Sequence, residues 1–476
     1  MSLLDLPGDI IIAVLQDLSL SELATLCSTC RTLRSWVNDS GWTSFRRAHP
    51  RPSFSLYKSR QLWEPRREVR YDALTDASWD SSRFVARPLS APWMGPKRQP
   101  SLAISRSRLV VAAGPTIYSY KFGITTRGDT PSVKLEGQCS LSTTNDVQRD
   151  ITSLTFIDDG GVDRTLICGF HDGTIAKIVL AADPATRSLT PKVHPLSREG
   201  DLIESVSSEK SFLVSVSAIG RVKLADLSLS NPSSSYVQLG KRSWTSHLCI
   251  ESSTPFVALG ASSRTPLTVY SILEGDLSPS PTAILGVKRN EPSSSAVYGI
   301  SRAPLSSPWG ASPQIIASGW FDGVARIYDL RSRSRESTGS SSLGVPSPLL
   351  PVMTLSDPWC YDPIYSISCG GGASSHIAAG SARHSVVSFW DIRSPRSGWS
   401  VYAPGNDRSP VYSAILESSR LFGVTERRPF VYDFGPGVTA DTYPHIPPEG
   451  LRQRKSNPVS FYVTKYSHSK NQAHDH

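Results

Sequence analysis

Two rhythms of apolar and polar positions divide this chain. Between residues 3 and 26 apolar side chains recur at helical spacing, with Ile10, Ile11, Val14, Leu15 and Leu18 on one stripe. Pro7 suits a helix start, where its missing N–H is no loss. Ser19-Leu-Ser-Glu22 is a capping-box pattern that opens a second helix carrying Leu23 and Leu26. A third short helix is predicted over about 29–37, after which Trp42 and Phe45 supply aromatic area to close the unit. So small a helical unit is marginal alone, and its leftover apolar stripe should meet a partner.

Past residue 100 the period becomes two. An apolar strand, a second strand ending in small residues, a tight turn and a third strand recur at 109–121, 165–179, 212–227, 256–272, 315–331, 376–393 and 421–434. Asp172-Gly173 and Asp322-Gly323 predict hairpins with positive φ at both turn positions. These seven units average about 52 residues, above the 40–45 of WD-type blades. The excess falls in Ser- and Pro-rich insertions near 276–295 and 331–351, read as disordered because they bury too little to order themselves. A ring of four-stranded blades protects its own edges. Closing it needs one strand from a chain end, and both 82–89 and 459–465 qualify.

Two families are called up by these residues. Leu6-Pro7-Gly8-Asp9-Ile10-Ile11, then Val14, Leu15, Leu18, Leu23, Leu26, Cys30-Arg31, Leu33, Trp36, Trp42 and Phe45 resemble an F-box over roughly 3–47. Tyr328-Asp329, Trp390-Asp391 and Tyr432-Asp433 resemble the terminal dipeptide of WD repeats, a match that is degenerate outside the fifth and sixth units. The expected architecture is therefore mainly β, a small N-terminal helical F-box followed by a seven-bladed WD-like β-propeller. Its segments are an F-box at 1–50, a basic connector with a candidate closing strand at 51–99, the propeller at 100–440 and a C-terminal segment at 441–476. The F-box resemblance implies docking onto a Skp-type adaptor and, through it, a cullin–RING ubiquitin ligase. Leu6, Pro7, Ile10, Ile11, Leu26 and Trp36 would be contacts or supports of that interface.

Composition narrows the class. The 476 residues include 33 Gly, 36 Pro and 41 aromatic side chains, which suits many short elements around a sizeable core and excludes a long-helix protein. Lys and Arg exceed Asp and Glu by 9, a weak field over this length. Cations cluster at 46, 47, 51, 58, 60, 66, 67 and 70 against Glu64 and Glu68, a face expected to be solvated or paired with local acids. The amino end has no basic n-region and carries Asp5 and Asp9 where an apolar h-region would lie, so a cytoplasmic or nuclear protein with reduced thiols is expected. Cys27-Ser-Thr-Cys30 lacks the second ligand pair that zinc requires, and reads as helical core.

No P-loop, H-E-x-x-H or G-x-S-x-G motif occurs, and His171, Asp172 and Asp322 sit where turn amides need acceptors. No catalytic residue, cofactor or metal is assigned. The loops into each first strand and between second and third strands would form a rim presenting Arg149, Phe170, His171, Arg221, Arg264, Trp320, Phe321, Trp359, Tyr361, Arg383, His384, Arg427 and Arg428. Of these, Trp320, Phe321, Arg383, Arg427, Trp359 and Arg264 are the expected target-binding set, because aromatic and Arg anchors dominate interfaces. Arg also suits acidic or phosphorylated peptides. The expected role is a non-catalytic substrate receptor of the ligase. The alternatives are a scaffold that binds the adaptor outside degradation, or a basic propeller binding RNA or acidic lipid, against which the low charge density counts.

Overall fold

The computed structural model describes residues 6–142, 149–183, 188–228, 234–287, 294–332, 348–405, 408–446, 453–454 and 457–469. Helix α1 (Gly8–Gln16) starts after Pro7, whose carbonyl accepts the first amide bonds from Ile10 and Ile11. Helix α2 (Leu20–Thr29) opens on the capping box: the Glu22 amide donates to Ser19 Oγ, and the Ser19 amide donates to Glu22 Oε2 at 2.8 Å. Cys30 Sγ accepts from the Leu33 amide and so caps α3 (Arg31–Trp36). A π-helical turn over Val37–Gly41 carries the chain straight into α4 (Trp42–Ala48), so the last helix runs further than the period suggested. Ile11, Leu15, Leu23, Cys27, Val37 and Trp42 form the core of this unit, and Val69 from outside it completes the packing.

Val69 belongs to α6 (Pro65–Asp80), which follows the short α5 (Tyr57–Arg60). Two stripes at i, i+4, i+8 organise α6. Glu68, Asp72 and Asp76 face the basic stretch: Arg46 binds Glu68, Arg60 binds Asp72 at 2.6 Å, and Arg51 grips both oxygens of Asp76. Tyr71, Thr75 and Trp79 are buried on the other side. Tyr71 Oη donates to Ser419 Oγ at 3.0 Å, and Trp79 Nε1 donates to the Ser418 carbonyl at 3.0 Å. The Glu417 carboxylate accepts the amides of Phe54 and Ser55. Residues 54–80 thus bolt the helical unit onto one face of the β domain.

That domain is a ring of seven four-stranded antiparallel blades. The strands nearest the axis are Ser101–Ile104, Ile151–Phe156, Ile203–Glu209, Ser243–Cys249, Ser295–Arg302, Ile364–Gly370 and Val411–Leu416. Neighbouring inner strands touch all the way round, including the last against the first. The seven repeated units are the second and third strands of the seven blades. Alternating side chains fill the spaces between blades with Val, Ile, Leu and Ala, as strands buried on both faces require.

Strand β1 (Val85–Pro88) closes the ring as the outer strand of the seventh blade, pairing with Pro429–Asp433. The other candidate does not. Asn457–Phe461 pairs with Gln453–Arg454 and lies beside β1, and Lys465–Ser467 adds a fifth strand to blade six against Trp399–Tyr402. The stretch read as a disordered insertion from 276 is ordered as far as 287. Asp276–Leu277 and Ala283–Leu285 pair with Leu267–Leu273, because backbone ladders need few apolar side chains once Leu277 and Leu285 are buried. Residues 288–293 and 333–347, and the tail from 470, lie outside the described residues.

The Asp-Gly turns also differ from expectation. Only Gly173 and Gly323 have positive φ, and the Gly173 amide bonds the Phe170 carbonyl, so these are three-residue connections ending in a left-handed glycine. Asp172 and Asp322 instead accept the amides of Thr174 and Val324.

Candidate functional site

The helical unit sits on the face made by the loops between first and second strands. The opposite face carries the expected rim. Phe321 is 55% exposed on the turn of blade five, and Arg264, Arg383 and Arg427 are exposed on the equivalent turns of blades four, six and seven. Trp359 and Tyr361 stand exposed in the connection between blades five and six, and Trp359 Nε1 donates to the Ser467 carbonyl at 3.0 Å. Trp320 is not on the rim. It is the last residue of its strand, so alternation turns it inward. Its ring is 2% exposed in the packing between blades four and five, with Nε1 on Ser318 Oγ at 2.8 Å and the Arg326 guanidinium 4.6 Å from the ring centroid. Phe170, also the last residue of its strand, is buried in the same way, and Arg428, just before its third strand, is buried too. Arg221 is held by Glu199 and stacks on Tyr236.

The turn of blade six is unusual. His384 (φ 62°) and Ser385 (φ 53°) are both left-handed without being glycine. Ser385 is buried and its amide bonds the Ser409 carbonyl at 2.8 Å, which holds the turn in place while Arg383 and His384 face solvent. We expect His384→Gly to raise stability by about 0.5–1 kcal/mol, the steric penalty of a left-handed residue less the backbone entropy of glycine. A denaturant midpoint at or below that of the wild type would count against strain in this turn.

Inside the rim, the axis of the ring opens into a cavity of about 950 Å³. Six of the seven inner strands carry a bulge one residue past the start of their pairing with the second strand, which aims that side chain into the mouth. In blades two and three these residues are Thr152 and Glu204, and in blades four to seven Trp244, Tyr298, Tyr365 and Tyr412. No single stretch of sequence signals the aromatic arc of blades four to seven, because its four members are 47 to 67 residues apart; only the aromatic recurring near the start of the first strand in these four units could have revealed it.

One cluster looks catalytic at first sight. Ser400 Oγ lies 2.8 Å from His468 Nε2 and 2.6 Å from Asp357 Oδ2, and Tyr466 Oη donates to the same carboxylate. Serine and aspartate both meet Nε2, whereas a charge-stabilising triad places the carboxylate on the opposite nitrogen. Burial alone would raise the Asp357 carboxyl, but hydrogen bonds from His468 and Ser400 outweigh it and bring it down to about 2. The cluster clasps the fifth strand onto blade six.

At the helical end, Ile10 (45% exposed), Val14 (39%) and Pro7 form an apolar face on α1, with Leu6, Leu26 and Trp36 half-buried beside it. Gly8 lets the Trp36 ring close on α1, since a Cβ there would fall 2.7 Å from it. Ile11 is 3% exposed and belongs to the core, a support and not a contact. Residues 3–44 match the F-box domain family. This segment is an F-box. No curated protein sequence matches the chain. Among solved structures, Sqt1 of Chaetomium thermophilum, bound to the N-terminus of the ribosomal protein L10, is similar at 16% identity with a TM-score of 0.47, covering 70% of this chain and 83% of that one. The F-box keeps its α1 face exposed, while Arg46 of α4, Arg51 and Arg60 pair with the carboxylates of α6. Among the described residues, no helix is long and apolar enough to cross a membrane and no cluster of His, Cys, Asp or Glu has metal-site geometry.

Proposed function

We propose that this protein is the substrate-recognition subunit of an SCF-type cullin–RING ubiquitin ligase, binding a Skp-type adaptor through the F-box and a target protein on the propeller rim. One observation carries the reading: an F-box whose apolar α1 face is exposed is packed, through α6, onto the propeller face opposite the rim. Such a part performs no bond chemistry. It holds a target at a set distance from the ubiquitin-charged enzyme and raises its effective concentration, so that transfer becomes effectively intramolecular. Phe321, Trp359, Arg264, Arg383 and Arg427 remain the proposed target contacts, and Trp320 leaves that set as a core residue. Affinity capture of the full chain should bring down adaptor, cullin and RING subunits together, and proteins that accumulate on deletion of residues 1–50 should include rim-dependent partners. Capture of adaptor without cullin would favour a scaffold role outside degradation.

A further inference from the structure

The channel mouth has more chemistry than ring closure needs. Trp244, Tyr298, Tyr365 and Tyr412 stand side by side on blades four to seven, with ring centroids 5.1, 5.0 and 6.1 Å apart along the arc and planes tilted by 64°, 53° and 45°. All four are half-buried, keeping part of each ring open to the cavity. The hydroxyls of Tyr298, Tyr365 and Tyr412 have no hydrogen-bond partner among the described residues, whereas Trp244 Nε1 is already bound to Ser262 Oγ at 2.8 Å. Burial pushes the Tyr298 and Tyr412 hydroxyls up, so both remain protonated donors at neutral pH.

The surroundings select the sign of charge. Arg264, Arg383 and Arg427 lie on the turns of the same blades that carry the arc, and Arg98 stands exposed across the mouth, with no ion-pair partner among the described residues. Among the acids here, Glu204 is already gripped by Arg242, whose guanidinium lies 4.4 Å from the Trp244 ring centroid, while Asp150 also lines the cavity and the Glu426 carboxylate helps to raise the Tyr412 hydroxyl. A cationic ligand would meet four arginines against these two acids around the border and find one aromatic face taken.

We propose that the mouth of the central channel is a binding site for an extended, proline-containing peptide segment flanked by acidic residues. Polyproline II conformation exposes carbonyls that lack internal partners and presents apolar rings, so it is recognised by aromatic rows that also carry hydroxyl donors. Residues i and i+2 of such a segment are about 6 Å apart, close to the ring-to-ring steps of the arc. The flanking carboxylates would meet Arg98 on one side and the arginines of blades four, six and seven on the other. The neighbouring rings meet at steep angles, which gives no run of parallel platforms for successive nucleobases. The proposal rests on the reading of this face as the target-binding face and names the chemistry it accepts.

The test is fluorescence anisotropy on the full chain co-purified with a Skp-type adaptor. The probes are a labelled Glu-Glu-Pro-Pro-Leu-Pro-Pro-Glu-Glu peptide, its lysine-flanked and alanine-for-proline versions, and a labelled decauridylate. The acidic proline peptide should bind saturably and more tightly than the other three probes. Tyr298→Ala with Tyr365→Ala should weaken it by about tenfold or more, and Tyr298→Phe with Tyr365→Phe by a few-fold, since rings stay and donors go. Arg383→Glu with Arg427→Glu should weaken it in low salt and less so in high salt. Unchanged melting of each variant assigns the losses to the site. Equal binding by the alanine version, wild-type binding by the Tyr→Ala pair, or tighter binding of decauridylate would overturn the proposal. So would no saturation by any peptide at about 1 mM. Adaptor retention in the same preparations reports separately on the F-box, so failure there leaves the channel result standing.

Discussion

Ile10→Asp is expected to abolish capture of a Skp-type adaptor while leaving the fold intact. Ile10 is 45% exposed at the centre of the apolar α1 face, flanked by Pro7 and Val14, and contributes nothing to the F-box core. In the free protein the new carboxylate would stay hydrated. In an apolar interface it would be stripped of water without a cation to receive it, a cost of about 3 kcal/mol or more, or over a hundredfold in affinity. Ile11→Asp is the informative contrast. Ile11 is 3% exposed against the rest of the F-box core, so the same change one residue on should unfold the helical unit and lose binding by that route. Calorimetric titration with the adaptor, with circular dichroism of both variants, separates the two. Wild-type adaptor affinity in Ile10→Asp would sink the assignment of α1 as the contact helix.

That contrast marks how far local pattern reaches. The capping box at Ser19 and Glu22, the helical stripe and the seven strand pairs are set by interactions within about twenty residues, and each was legible. Which residue of a stripe faces the core is set by a partner far along the chain. Ile11 and Ile10 are indistinguishable by hydrophobicity, and only the packing of Val37, Trp42 and Val69 makes the first internal and the second external. Trp320 and Phe321 differ in the same way. Both are large aromatics beside a turn, but one ends a strand and points between blades while the other opens the turn and points to solvent.

Ring closure was illegible for a related reason. Segments 82–89 and 459–465 are both strand-like, and the choice depends on which one the seventh blade meets first in space. The decision follows from α6, which ends on that blade and delivers the chain to Val85 after a turn at Ser82. The acids that neutralise the basic connector were equally visible as letters, but only a continuous α6 puts Glu68, Asp72 and Asp76 on one side and Tyr71, Thr75 and Trp79 on another. The aromatic arc required the whole ring before its four members became neighbours.

Because α6 couples F-box to propeller, Trp79→Ala should have the largest effect on stability. Trp79 is 2% exposed in the last turn of α6. It stacks on Phe434 with ring centroids 3.5 Å apart and planes 11° apart, and lies 4.4 Å from the His376 ring. Gly371 and Gly372, both at positive φ, bring the backbone of blade six up to the indole, where added Cβ atoms would fall 3.1 and 3.3 Å from it. Truncation leaves a cavity between blades six and seven and removes one of the two hydrogen bonds on the Ser418 carbonyl, which keeps the Gly372 amide, together worth about 3–5 kcal/mol. Trp79→Phe keeps an aromatic ring in the stack and loses the hydrogen bond, so about 1–2 kcal/mol is expected. The loss should also loosen the junction, exposing the backbone between 60 and 82 to protease before any blade is cut, because local opening follows the weakest packing. Urea unfolding and limited proteolysis of both variants read these effects. Wild-type stability in Trp79→Ala, or first cleavage inside a blade, would mean that the F-box is held to the propeller elsewhere.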